Sequence, residues 1–345
     1  MLKRVKQLSL TSAKSLGLLG VCGRSRWRRN RLLILGYHGV SIEDEHEWNP
    51  ELFMTQELLR KRFEMIRRWD CNVLPLGEAI ERLYAGTLPE RAVAITFDDG
   101  LFNFFERALP LLKEFNFPST LYATTFYVEY NKPVFGVAAD YLLWKTRVPE
   151  LDMGPLTGLK RTFEIDNRSG RMAAHSELVS YAVENGLSAK LKNDLLRELS
   201  EQLSIDFEQF CSSRLFHLMT IEEIEEIAKA GVDVQLHTHR HRVPMDQSLF
   251  RREISDNRRV IDQIVGCPPT HFCYPSGEYD PAFIPWLKDS DVVSATTCFV
   301  DLSHNWSSPF KLPRLIDTMS LSDVEFEGWL TGVSHFVPQR QLVRN

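Results

Sequence analysis

The first apolar run of the chain spans 32–35 and ends in Gly36-Tyr37-His38-Gly39; a run this short, bounded by turn residues, predicts a buried strand. Residues 51–69 carry Phe53, Leu58, Leu59, Phe63 and Ile66 at helical spacing, 71–76 reads as a short strand, and 76–84 as a helix ending near Gly86. A second continuous run, 92–95, passes through Thr96-Phe97 into Asp98-Asp99-Gly100. An amphipathic helix is expected over 103–116, stopped before Pro118, and a strand over 119–123. This alternation of strand and helix implies a parallel sheet or barrel of the α/β class. The rhythm breaks over 129–215, which is richer in charge, helical in pattern at 188–209 and turn-rich at 154–170, so this stretch reads as an insertion. The pattern then resumes. Thr220 is a good N-cap for a helix over 221–230, with Glu222 and Glu223 in its first turn and Gly231 as its stop. Strands at 232–236, 271–274, 292–297 and 312–316 follow, with helices at 250–265 and 281–288 between them.

The length, 345 residues, suits one α/β barrel with insertions, and 43% hydrophobic with 25% charged residues suits a sizeable core. The net charge of −5 is unevenly spread: residues 1–31 hold nine of the 41 Lys+Arg and no acidic residue. The remainder is therefore acidic, and no nucleic-acid partner is expected. Within 1–31, Val5, Leu8, Leu16 and Leu19 are loosely spaced among the basic residues. The segment reads as a basic arm, either disordered or docked on the barrel, with contact to an anionic membrane or polymer as the sharper alternative. Six cysteines without a CxxC pair fit free thiols in a reducing compartment. No apolar stretch is long enough to span a bilayer, and the short, glycine-interrupted run 16–22 is not a clear signal peptide. A cytoplasmic protein is the expectation, with peripheral contact at the inner membrane surface as the alternative.

The chemistry gathers at strand ends. Two carboxylates closing a buried strand are costly unless a cation or hydrogen bonds offset their charge. Successive residues on an extended strand point to opposite sides, so Asp98 and Asp99 diverge unless the strand is ending. His237-Thr238-His239-Arg240-His241 directly follows another strand, and on a helical turn His237 and His241 would share one side. With Asp99 they make an Asp-His-His set of the open, catalytic zinc type. His239 is expected to point elsewhere, toward a neighbouring shell or solvent. His38 ends the first strand, where α/β barrels keep their chemistry.

Thr96-Phe97-Asp98-Asp99-Gly100 followed by His237-Thr238-x-x-His241 resembles the polysaccharide deacetylase family, the NodB-homology carbohydrate esterases. Cys273-Tyr274-Pro275-Ser276-Gly277-Glu278-Tyr279-Asp280 resembles the third family motif in its tyrosine-proline-x-glycine form. Lys311-Leu312-Pro313-Arg314 resembles the strand that ends the domain, and Leu35-Gly36-Tyr37-His38-Gly39 the tyrosine-histidine motif of the exopolysaccharide branch. The match spans 31–317, interrupted by 129–215. The resemblance implies a distorted (β/α) barrel of about seven strands over 31–320, between the arm at 1–30 and a C-terminal tail at 321–345. It implies a divalent metal, foremost Zn2+ with Co2+, Mn2+ or Ni2+ as alternatives, on Asp99, His237 and His241. Asp98 would be the general base, and a backbone N–H among Tyr274, Pro275, Ser276 and Gly277 would meet the oxyanion. A late leucine-x-histidine motif is missing, since His304 lies in a loop and His335 in the tail, so His38 is the candidate general acid. The arginine that many members place in the third motif is also missing. Cys273 holds its slot, and Arg314 is the candidate charge beside Asp98. Ser276 stands where an aromatic is common. The implied activity is removal of N-acetyl groups from amino sugars of a glycan. An amidase acting on a small non-sugar C–N bond and a non-catalytic glycan-binding relative are the alternatives.

Overall fold

The computed structural model describes residues 2–337; positions 338–345 of the expected tail lie outside the described residues. One sheet organises the chain. Its strands are β1 (Leu33–Tyr37), β2 (Asn72–Val73), β3 (Ala92–Phe97), β4 (Thr120–Ala123), β5 (Asp233–Leu236), β6 (His271–Cys273), β7 (Ser294–Thr296) and β8 (Leu315–Ile316). They run in the order β7-β6-β5-β4-β3-β1-β8, with β2 paired to the start of β3. Every pairing in this sheet is parallel, and β1 lies on β3 with Leu35 opposite Ile95. The continuous apolar runs belong to β1 and β3 because these strands are buried throughout, as parallel strands covered by helices must be. Just before β8, the Leu312 N–H donates to the Ala295 carbonyl and the Thr297 N–H donates to the Leu312 carbonyl, both at 2.9 Å. These bonds join the two ends of the seven-strand path and curl it into a distorted barrel.

Local differences from the sequence pattern have local causes. The helix expected from 51 begins only at Gln56, after the Thr55 cap, because Phe53–Met54 pairs instead with Gly39–Val40 as a short parallel ladder. That ladder requires Gly39: a Cβ there would lie 2.1 Å from the Phe53 ring. The expected 103–116 helix splits into a π-helical turn at Phe104–Ala108 and a regular helix at Leu109–Phe115. Pro110, in the first turn of the second piece, has no N–H with which to continue the first. The Thr220 cap is realised as a full capping box with Glu223.

The insertion folds into helices Phe135–Lys145, Arg168–Glu184, Ala189–Gln202 and Phe207–Ser212 and a small hairpin of Glu150–Asp152 with Thr162–Glu164. It shares the barrel's core. Tyr141 packs on Trp48 at 5.7 Å and on Phe216 at 4.9 Å between ring centroids, and its hydroxyl donates to Asp44.

Among the described residues, the N-terminal segment takes the docked form of its expected alternatives, and the segment from 321 onward holds a helix rather than an unstructured tail. Helices α1 (Leu2–Ser15) and α2 (Leu18–Gly23) pack on a helix at Asp323–Thr331, which also buries Trp329. Acidic residues that look solvated in the sequence, Glu325 and Glu327, are buried there and pair with Lys6 and Lys14. Arg62 ties the same helix to the barrel. Its fully buried guanidinium donates to Asp317 at 3.0 Å and to Asp323 at 2.9 Å. Burial raises the Asp317 carboxyl to about 6 although Arg62 opposes the shift. Removing one partner leaves a buried charge uncompensated. Arg62→Leu is therefore expected to cost about 3–5 kcal/mol of stability in a urea titration; a loss below about 1 kcal/mol would show the pair to be dispensable.

Candidate active site

The carboxylate pair divides because β3 stops at Phe97. Asp98 keeps strand pairing, its N–H donating to the Tyr37 carbonyl at 2.9 Å, and its side chain turns into the barrel. There Arg314 meets it bidentately: Nη1 donates to Oδ1 and Nη2 to Oδ2, each at 2.7 Å. Arg314 is fully buried and fixed in turn by the Thr96 hydroxyl at 3.1 Å and the Thr297 carbonyl at 3.1 Å. Burial by itself would raise the Asp98 carboxyl, but the guanidinium outweighs it and holds the group at about 2, ionised. Cys273 completes this corner, with Sγ 3.0 Å from Arg314 Nη2 and 3.6 Å from Asp98 Oδ2.

Asp99 does the opposite. Its φ of 72° is left-handed, which is unusual for a residue other than glycine, and Gly100 follows at 85°. The turn swings the Asp99 carboxylate away from Arg314 and toward the histidines. Thr124 holds the bend by donating its N–H and its hydroxyl to the Asp99 carbonyl, at 3.1 and 2.9 Å. Asp99 Oδ1 then lies 3.3 Å from Nε2 of His237 and 3.3 Å from Nε2 of His241. His237 Nδ1 lies 2.9 Å from the Cys273 carbonyl, so that nitrogen carries the ring proton and Nε2 presents a lone pair.

The helical turn expected at 237–241 is not formed. Thr238 (φ 62°) and His241 (φ 55°) are both left-handed, and these two bends, rather than a helical repeat, bring the rings within 4.9 Å of each other. Three donors of mixed oxygen and nitrogen type, all within 4.8 Å of one another, suit a borderline divalent ion. Asp99 Oδ1 is buried without a hydrogen-bond partner, a state that an ion would relieve. These residues fit a metal. Asp98, His237 and Cys273 also lie close enough together to form a ligand set. Arg314 already engages both oxygens of that carboxylate and touches the thiol, so a second cation there would meet a guanidinium.

Sequence reasoning missed the residues that hold the histidine loop. The helix Gln247–Val265 buries two polar side chains, Glu253 and Asn257, on its apolar side. Asn257 accepts the His237 N–H at 3.0 Å and donates to the Ala123 carbonyl and the Thr125 hydroxyl. Glu253 accepts the Arg240 N–H at 2.8 Å and both the Arg240 and Arg242 guanidiniums. The signal was present: two polar residues four apart among Phe250, Ile254 and Ile261 are misplaced unless something buried needs them. His239 is buried rather than solvent-facing, its Nδ1 at 2.8 Å from the Thr125 hydroxyl.

His38 reaches the same space from the end of β1, with Nε2 3.6 Å from Asp98 Oδ2. In the third motif, the Tyr274 side chain is not at the site. It is buried, donates its hydroxyl to the Phe310 carbonyl and packs on Phe272 and Tyr279. Pro275 is buried beside it. Among the backbone donors, Tyr274 N–H is bound to the Thr296 carbonyl, Gly277 N–H to the Tyr274 carbonyl, and proline has none. Ser276, exposed and left-handed at φ 56°, keeps the N–H that the motif can offer.

An ionised carboxylate clamped by arginine, beside a mixed oxygen–nitrogen triad at the mouth of a parallel barrel, is the layout of a metal-assisted hydrolase site. Residues 85–151 and 198–295, a little under half of the chain, match the family model described as Polysaccharide deacetylase, so the chain carries a domain of that family. The gap in the match falls inside the insertion. The chain is similar to the poly-beta-1,6-N-acetyl-D-glucosamine N-deacetylase of Escherichia coli K12, 31% identical over 94 residues, covering 27% of this chain and 14% of that protein. It is also similar to the enzyme of that name from Staphylococcus epidermidis, 26% identical over 110 residues, 29% of this chain and 38% of that protein. The match thus spans well under half the length of these relatives. Among solved structures, the Streptococcus pyogenes deacetylase PplD in complex with acetate superposes with a TM-score of 0.57 at 16% identity, covering 86% of this chain and 96% of that one. IcaB from Ammonifex degensii gives 0.55 at 17%, covering 87% and 97%. These two likenesses carry the NodB-type fold.

Proposed function

We propose that this protein is an N-deacetylase, hydrolysing the acetamido group of amino sugars in an extracellular-type polysaccharide to acetate and free amine. The observation that carries this reading is the division of the aspartate pair, one clamped by Arg314 and one turned to two histidines. The family, and relatives whose names specify poly-β-1,6-N-acetylglucosamine, support the substrate class.

Asp99, His237 and His241 would hold the ion, which when bound supplies Lewis acidity toward a water and the acetyl carbonyl. Asp98, kept ionised by Arg314, takes the proton of the attacking water. Arg314 fixes the position of that carboxylate by holding both of its oxygens. As the carbonyl carbon becomes tetrahedral, the free Ser276 N–H donates to the oxygen that gains charge. His38 then protonates the amine nitrogen as the C–N bond breaks; its Nε2 and Asp98 Oδ2 are close enough to serve one substrate from two sides.

The acid role predicts a split. His38→Ala should slow acetamide hydrolysis by about 10²–10⁴-fold. It should slow hydrolysis of an activated aryl acetate far less, because that leaving group needs no proton. Equal losses on both substrates would remove His38 from this role. The function itself is tested by acetate release from a panel: poly-β-1,6-N-acetylglucosamine, chitin oligomers and small N-acetyl amides, each with and without chelator and with Zn2+ restored. Release from a polymer that chelator stops and Zn2+ restores is expected. Release from small amides alone would make the protein an amidase, and release from none would favour a glycan-binding relative.

A further inference from the structure

Helices α1 and α2 carry two different sides. The inner side is committed to the body: Leu10 and Leu19 are buried, and Lys6 and Lys14 pair with Glu325 and Glu327. The outer side presents Val5, Leu8, Leu16, Leu18 and Val21, each between 49% and 74% exposed. Phe336, 64% exposed, extends this patch, in a turn that packs on α2 and with its ring 4.6 Å from Trp27. A segment this short rarely leaves so many large apolar side chains in water without a partner. The charge that the segment itself contributes is of one sign. Residues 1–31 contain no carboxylate, and Arg24 and Arg26 are exposed and make no ion pair among the described residues.

We propose that this face docks on the surface of an anionic lipid bilayer, with both helices lying in the interfacial plane. Aliphatic side chains flanked by unpaired arginines and an aromatic ring are the chemistry of an interfacial amphipathic element. No described helix is long and apolar enough to cross a membrane. A symmetric contact with a second copy fits less well, because it would bring two carboxylate-free, arginine-bearing faces together. The docking also has a direction. Arg28, fully buried, joins this element to the Leu330 carbonyl and to the carbonyl of Ala92, the first residue of β3. Asp98 and the histidines sit at the other end of the strands, so a docked protein turns its site away from the bilayer toward glycan.

The test is co-sedimentation of the full chain with vesicles of phosphatidylcholine alone and of phosphatidylcholine mixed with phosphatidylglycerol. Binding to the mixed vesicles at least about tenfold above the neutral ones is expected. The triple variant Leu8→Ser/Leu16→Ser/Val21→Ser should lose it, as should Arg24→Glu/Arg26→Glu. All five positions are exposed, so circular dichroism and the thermal midpoint should stay at wild-type values. No vesicle binding by the wild type, or binding that both variants retain, overturns the proposal. So does light scattering that shows a wild-type dimer which the triple variant dissolves, since a second copy would then own the face.

Discussion

Asp98→Asn should lower kcat by about 10²–10⁴-fold while the protein keeps its metal. The substitution preserves shape and removes the charge that would take the proton of water. It also has a structural cost. Arg314 is fully buried and bonded to both Asp98 oxygens, and an amide can accept only one of its two donors while leaving the guanidinium without a counter-charge. Breaking such a pair costs about 3–5 kcal/mol, so kcat has to be measured well below the variant's own unfolding midpoint. Bound metal, read by mass spectrometry of the purified protein, should match the wild type, because Asp98 contributes no atom to the Asp99–His237–His241 set. A variant that turns over near the normal rate would dismiss Asp98 as base. One that loses metal would place Asp98 among the ligands.

Asp99→Asn should do the reverse. Asparagine tolerates a left-handed backbone, so the φ of 72° can persist and the turn should survive. The charged ligand is gone, however, and metal affinity should fall by more than the roughly 10–100-fold that follows loss of a mere outer-shell partner. Activity should fall with occupancy and partly return at high Zn2+. The metal-free fold should lose little, since Asp99 Oδ1 has no hydrogen-bond partner there to forfeit. Titration of the apo-protein with Zn2+ by calorimetry checks the first point and urea unfolding with chelator the second. Unchanged Zn2+ affinity would remove Asp99 from the centre.

The barrel was legible because its strands are continuous apolar runs punctuated by glycine, proline and good caps. Thr220 with Glu223, and Gly266 at φ 70°, behave as their residue types require. The site residues were legible as types at strand ends. Their geometry was not. A spacing of four suggests a helical turn, but only the left-handed angles of Thr238 and His241 show how the histidines meet. The loop that carries those angles is tied to the helix Gln247–Val265 through Glu253 and Asn257, partners that lie outside the local pattern. Tyr274 shows a related limit: a motif residue can serve by anchoring the backbone while its side chain belongs to the core. The terminal helices escaped detection for another reason. On α1, Leu10 points inward while Val5 and Leu8 point outward, so no single apolar stripe exists. At Asp323–Thr331, Glu325 and Glu327 are buried against lysines more than 300 positions away, which no local pattern can announce.

The central claim is that Asp99, His237 and His241 form a metal centre served by Asp98. Elemental analysis of the purified wild-type protein, before and after chelator treatment and alongside acetate release from poly-β-1,6-N-acetylglucosamine, tests it most directly. The account predicts a stoichiometric divalent ion, its removal by chelator together with acetate release, and recovery of both on adding Zn2+. Acetate release that continues undiminished from metal-free protein would contradict it.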